Sequence, residues 1–230
     1  MDLFPIYRNF VQKDYGEGFE EIHNNWMNST FACAHCVKMD LFRKYEWIAA
    51  AGDRHLAEFV SGDMYLRNPQ VVEEWKYSLT SVEWRRKDLL NRLDKSGRLA
   101  SGEELSLEDT GEERIQLIKA ICGLGNLVTN VNIPNNGRQI ANLPTDAVVE
   151  TNALFERDAI RPVIAGELPN TILDLIMPHV ENHNRVIKAA KTYNYAMVLE
   201  AFQNDPQIRD RIEPKEMERQ VHDMIEVTLH

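Results

Sequence analysis

The chain has 230 residues, enough for a domain with a sizeable hydrophobic core. Acidic residues outnumber basic ones, 36 to 26, for a formal charge of −10, which argues against a nucleic-acid partner held by phosphate neutralisation. Three cysteines are too few, and odd in number, for a disulfide framework. With neither an apolar run near the ~18 residues of a membrane span nor a signal-peptide start at Met1–Arg8, the cytoplasm is the expected compartment.

The first hundred residues read as helical. Phe31, Ala34, Val37, Leu41, Phe42 and Tyr45 recur at spacings of three and four and predict an amphipathic helix over 28–45. Asn68-Pro69 suits a second helix start, with Asn as cap and Pro in the first turn, running to Gly97 with a break at Ser78–Ser81. Ser96–Gly111 reads as an exposed loop, and Thr110–Glu113 fits a capping box opening a helix that stops at Gly123 or Gly125. The period then changes. Leu127, Thr129, Val131 and Ile133 alternate with Val128, Asn130 and Asn132, a strand pattern ending in the turn Asn135-Asn136-Gly137. Ala147–Phe155 and Arg161–Ala165 are further strand candidates. Helix returns from Pro169, with new starts expected at Asp205-Pro206 and Glu213-Pro214. The expected class is α+β, a small antiparallel sheet surrounded by helices, treated as one domain over 1–230.

Several clusters invite chemistry. Cys33, His35 and Cys36 offer zinc ligands, but no second Cys/His pair follows at a usable spacing. Within the expected helix they read as core residues, so no metal ligand is assigned. His179 and His183 share a helical face, yet the intervening residues are not those of a zinc peptidase, and a surface pair is the commoner outcome. Gly123 and Gly125 follow a helix and precede a strand, the reverse of a dinucleotide-binding turn. Gly16 and Gly18 lack a preceding strand, so no Rossmann fingerprint is found. Asp53, Arg54 and His55 can supply a base, an anion clamp and a proton-sharing partner; equally, they are a charged helix start. Asn130 and Asn132, with Asn135, Asn136 and Arg138 in the turn, form a row of polar groups that suits sugar hydroxyls. They also fit an exposed edge strand and its turn.

The segments Ala49–Phe59, Val131–Gly137, Asn142–Asp146, Val149-Glu150 and Gly166–Pro169, in this order, resemble the C-terminal half of glycoside hydrolase family 4, closest to its α-galacturonidase-like branch. The resemblance runs from about Asp2 to Asp205. It implies a fold like the C-terminal domain of that family and of lactate and malate dehydrogenases. It also implies an NAD- and Mn²⁺-dependent O-glycosyl hydrolase in which a sugar C3 hydroxyl is oxidised, the C2 proton is removed, the aglycone is eliminated and water adds. By position in the motif Asp53 is then the base, Arg54 a clamp for a uronate carboxylate, and His55, Asn130, Asn132, Asn135, Asn136 and Arg138 orient the substrate. An α-galacturonide is the expected substrate, with α-glucosides and α-galactosides next. The family's Gly-rich nucleotide domain and its metal-binding Cys and His precede the region covered. The chain alone is therefore expected to be inactive, pairing with a Rossmann half and assembling as a homo-oligomer. The alternative is a non-catalytic remnant serving as a sugar-binding or dimerisation module.

Overall fold

A computed structural model describes residues 3–14, 18, 26–27, 31–104 and 113–228. Residues 28–30 of the first expected helix, 105–111 of the expected loop and 110–112 of the capping box lie outside them. The chain divides into two compact units, Met1–Thr80 with Asp174–His230, and Ser81–Leu173.

In the first unit α1 (Phe4–Asp14) is followed by α2 (Cys36–Tyr45), which is buried on two sides. Val37 and Leu41 enter a cluster with Leu56, Ala57, Val60, Tyr65, Val72 and Tyr77. Met39 and Phe42 pack against Val11 of α1, with Phe4, Tyr7 and Phe10 closing the contact. Here the sequence reading is corrected. The expected helix over 28–45 begins at Cys36, because His35 takes a left-handed backbone (φ 59°) and Cys33 forms an antiparallel bridge with Tyr77. Ala34 is fully buried from an extended segment, and an apolar pattern cannot tell that from burial on a helix.

Two short helices, α3 (Asp53–Leu56) and α4 (Gly62–Tyr65), flank a 3₁₀ turn at Ala57–Phe59. The Gln207 side-chain amide holds that turn by donating to the carbonyls of Ala57, Glu58 and Val60 at 3.1, 2.9 and 2.7 Å. Helix α5 (Pro69–Glu74) starts as expected, its Asn68 cap accepting from the Val71 N–H at 2.9 Å. The Tyr65 hydroxyl donates to buried Asp40 at 2.5 Å, and Lys44 sits 2.6 Å from the same carboxylate oxygen. A charge buried on α2 is thereby paired rather than stranded.

The second unit opens with α6 (Val82–Ala100), capped by the Ser81 hydroxyl. Helix α7 (Arg114–Ile121) ends at Gly123 (φ 75°), with Leu124 N–H donating to Lys119 C=O and Gly123 N–H to Ala120 C=O. That is a Schellman stop, which glycine enters without steric cost. Strands β1 (Leu127–Pro134), β2 (Val148–Glu156) and β3 (Ala159–Pro162) form an antiparallel sheet in the order β1-β2-β3. Val149, Thr151, Ala153 and Phe155 are buried, and α7 places Ala120 against Ala153 and Phe155. The third strand begins two residues earlier than the sequence reading and ends at Pro162, although the Val163 N–H still donates to the Asn152 carbonyl at 2.8 Å.

Helix α8 (Asn170–Thr192) begins in the second unit and continues in the first, followed by α9 (Tyr195–Asn204) and α10 (Pro214–Thr228). Glu213-Pro214 opens α10 as expected. Asp205-Pro206 does not open a helix: Asp205 accepts from the Gln207 N–H at 2.8 Å, and the chain continues in turns to Ile212.

Candidate active site

Asp53 is the first residue of α3 and is completely buried. Its carboxylate accepts hydrogen bonds from the Val37 N–H at 3.2 Å and the Lys38 N–H at 3.0 Å. Those groups are in the first turn of α2, whose N-cap His35 makes no side-chain cap bond. Asp53 thus caps α2 from another element, where the helix dipole favours a negative charge. Burial opposes that charge and outweighs it, so the carboxyl is held above its ordinary value despite the Lys38 and Val37 hydrogen bonds and the nearby charges of His35 and Lys38. A carboxyl tuned upward is better matched to proton transfer near neutrality than an exposed one.

Two side chains that the sequence reading set aside converge on Asp53. Cys33 Sγ lies 3.7 Å from His35 Nδ1, and ligand atoms of Cys33, His35 and Asp53 all fall within 4.8 Å of one another. Burial alone would push the Cys33 thiol up. Hydrogen bonds from the His35 ring and from the backbone of Asp53 and His35 bring it below its ordinary value. The His35 imidazole is raised in turn, chiefly by its hydrogen bond to Cys33, against the effect of burial. A legible signal existed: residues two apart share one side of an extended segment, whereas on a helix they diverge. The expectation of a helix over 28–45 and the lack of a second Cys/His pair hid it.

Residues adjacent in sequence do the opposite. Successive positions on α3 point roughly 100° apart, so Asp53, Arg54 and His55 cannot meet at one point. Arg54 is half-buried, donates from Nη1 to the Thr80 hydroxyl at 3.0 Å and lies over the Phe31 ring at 5.0 Å. His55 is exposed, with Nδ1 3.9 Å from Glu58 Oε2. In the other unit Asn130 and Asn132 occupy the exposed face of β1, and Asn136 and Arg138 are exposed in the turn. Asn135 corrects the expectation of a sugar-facing amide. It is fully buried, its Nδ2 donating to the carbonyls of Ile140, Leu143 and Pro144 and its Oδ1 accepting from the Ile140 N–H. His179 is engaged with the Phe59 carbonyl at 3.1 Å.

A small antiparallel sheet is surrounded by helices, and a buried carboxylate stands at a helix N-terminus. The family profile described as "Family 4 glycosyl hydrolase C-terminal domain" matches residues 1–208, and the chain belongs to that family. An α-galacturonidase of Lachnoclostridium phytofermentans is 52% identical over 229 residues, 99% of this chain and 49% of that protein. An α-galacturonidase of Bacillus subtilis is 40% identical over 228 residues, covering 98% of this chain and 49% of the relative. The crystal structure of lplD from Bacillus subtilis superposes with a TM-score of 0.88 at 40% identity, over 97% of this chain and 50% of that one. A 6-phospho-α-glucosidase from gut microorganisms, solved with NAD and Mn²⁺, shares the fold at a TM-score of 0.63 and 21% identity, over 99% of this chain and 49% of that one. The chain spans about half the length of the curated relatives it matches.

Proposed function

We propose that this chain is the substrate-handling half of an α-galacturonidase, with Asp53 as the base that removes a proton from the sugar and Arg54 as the clamp for its carboxylate. The observation that carries the reading is the 52% identity to an α-galacturonidase across 99% of this chain, with Asp53 buried and tuned upward. A planar guanidinium pairs bidentately with a uronate, and the ring of Phe31 and the hydroxyl of Thr80 hold Arg54 for that task. His55, Asn130, Asn132, Asn136 and Arg138 are exposed and remain candidates for outer contacts with the sugar.

NAD and Mn²⁺ are the cofactors that the family reading implies. Among the described residues the sheet is antiparallel and the Gly123 turn is a helix stop, so no glycine-rich strand-to-helix cradle for a dinucleotide is present. Ligand atoms of Cys33, His35 and Asp53 lie within 4.8 Å of one another, but these residues are not assigned as the manganese ligands, which the family resemblance implies precede the region covered. The chemistry proposed for this chain is proton transfer and anion binding, with the cofactors bound by a Rossmann half.

Complementation tests this division. The chain is mixed with the separately expressed N-terminal half of a relative, and hydrolysis of a chromogenic α-galacturonide is followed with NAD⁺ and Mn²⁺ under reducing conditions. Activity is expected from the mixture and from neither part alone. Turnover by the chain alone would overturn the division of labour. A mixture that binds the sugar without turning it over would leave the non-catalytic module as the better reading.

Association into a homo-oligomer is part of the same proposal. Leu89, Leu90 and Leu93 stand on α6 at 56%, 66% and 58% exposure, a row of leucines costly to leave in water. Replacing Leu90 with Glu is expected to shift the sedimenting species to lower mass. A wild-type chain that sediments as a monomer would remove α6 as the contact. No helix among the described residues is long and apolar enough to cross a membrane.

A further inference from the structure

We propose that Cys33, His35 and Asp53 form a binding site for a single zinc ion. The site shares Asp53 with the base proposed above, so zinc occupancy and proton abstraction by Asp53 exclude one another, and it rests on the geometry of the cluster alone. Three donors of three kinds converge, a sulfur, an imidazole nitrogen and a carboxylate oxygen, all within 4.8 Å of one another. In a tetrahedral zinc site with Zn–S about 2.3 Å and Zn–N about 2.0–2.1 Å, the sulfur and nitrogen stand about 3.6 Å apart. Cys33 Sγ and His35 Nδ1 are 3.7 Å apart before any ion enters. An ion seated between them needs almost no movement of those two ligands.

The ligands are also fixed by the surrounding fold. The bridge to Tyr77 and the hydrogen bond from the Ala34 N–H to the Lys76 carbonyl, 3.0 Å long, pin the segment carrying Cys33. The left-handed backbone at His35 turns the chain from that bridge into α2. Asp53 is oriented by the Val37 and Lys38 N–H groups, the outer hydrogen bonding that sets a metal carboxylate in place. A ligand set ordered in advance loses little entropy on binding. Thiolate and carboxylate together carry two negative charges, which neutralise a divalent cation in a site where burial makes charge expensive. Cys33 and His35 are only half-buried, so an ion has a way in and a water can complete the tetrahedron. Sulfur favours zinc over magnesium or calcium.

The purified chain, kept reduced with a non-thiol reductant, is titrated with Co²⁺ as a spectroscopic stand-in for zinc. One equivalent is expected to produce a near-ultraviolet thiolate-to-cobalt charge-transfer band and strong visible bands of a tetrahedral ion, both erased by Zn²⁺. Cys33→Ser is expected to lose the charge-transfer band with unchanged circular dichroism. Should that variant not fold, His35→Asn serves in its place, because Asn tolerates the left-handed backbone, and it is expected to weaken binding by at least about tenfold. Cys122→Ser removes the exposed thiol and is expected to change nothing. The absence of a thiolate band in the wild-type chain would overturn the site. So would a band that survives Cys33→Ser and disappears with Cys122→Ser, or undiminished binding by His35→Asn. None of these readouts involves sugar hydrolysis, so the site can fail while the glycosidase reading stands, and the reverse.

Discussion

Asp53→Asn, introduced into the chain and complemented with a nucleotide-binding half, is expected to lower α-galacturonide hydrolysis by about 10²–10⁴-fold, the usual contribution of a positioned base. The amide keeps the volume of the carboxylate and one acceptor oxygen, so it can still take a hydrogen bond from Val37 or Lys38 at the start of α2. Its NH₂ group then confronts the second N–H, a mismatch of about 1–3 kcal/mol. Stability and activity are separable through their pH dependence. Burial raises the Asp53 carboxyl above its ordinary value, so the folded state holds the proton more tightly than the unfolded one. The stability this adds is complete below the ordinary carboxylate range and is lost as pH rises through the raised folded value. Asparagine does not titrate. The stability of the wild-type chain minus that of Asp53→Asn should therefore fall with rising pH over that window in urea denaturation. A difference that grew with pH would show that the N-terminus of α2 outweighs burial, and Asp53 would then be an ordinary helix cap with no upward tuning. Retention of full complemented activity by Asp53→Asn would remove it as the base whatever its effect on stability.

How much of this was legible in the sequence depended on whether a single local rule governed each segment. Alternation predicted β1 and β2 within a residue or two, because a strand with one buried face must alternate, and Val149, Thr151, Ala153 and Phe155 do. Asn68-Pro69 opened a helix because cap chemistry is local, and Glu213-Pro214 opened one with proline as its first residue. Asp205-Pro206 carries the same signal and fails. Asp205 caps only a turn, and Gln207, two residues on, spends its amide on three carbonyls of the Ala57–Val60 segment about 150 residues earlier. The site shows the same limit. Asp53 stood out within a dense charged segment, but its partners Cys33 and His35 are nearly twenty residues away, and only the tertiary fold joins them. Arg54 and His55 stood out because they are adjacent, and adjacency on a helix separates side chains.

Asn135→Asp is expected to destabilise the second unit by upwards of about 3 kcal/mol, a larger loss than any surface asparagine of that unit can cause. The side chain is fully buried beneath the connection between β1 and β2. Its Nδ2 donates at 2.8, 3.0 and 3.2 Å to the carbonyls of Ile140, Leu143 and Pro144, while its Oδ1 accepts from the Ile140 N–H at 3.0 Å. The backbone joins in, with the Asn135 N–H donating to the Ala147 carbonyl at 2.8 Å. Aspartate has the same shape and no donor. It would strand three carbonyls around a buried negative charge, a configuration that unfolds the loop before it is tolerated. Asn130→Ala and Asn132→Ala, on the exposed face of β1, should change stability by no more than about 0.5 kcal/mol. Thermal denaturation of the three variants gives the ordering, and complemented hydrolysis gives its functional side. If Asn130 or Asn132 contacts the sugar, its alanine variant raises KM without lowering the melting temperature. An Asn135→Asp chain that folded as stably as wild type and showed only a raised KM would return Asn135 to the substrate and remove it from the architecture of the loop.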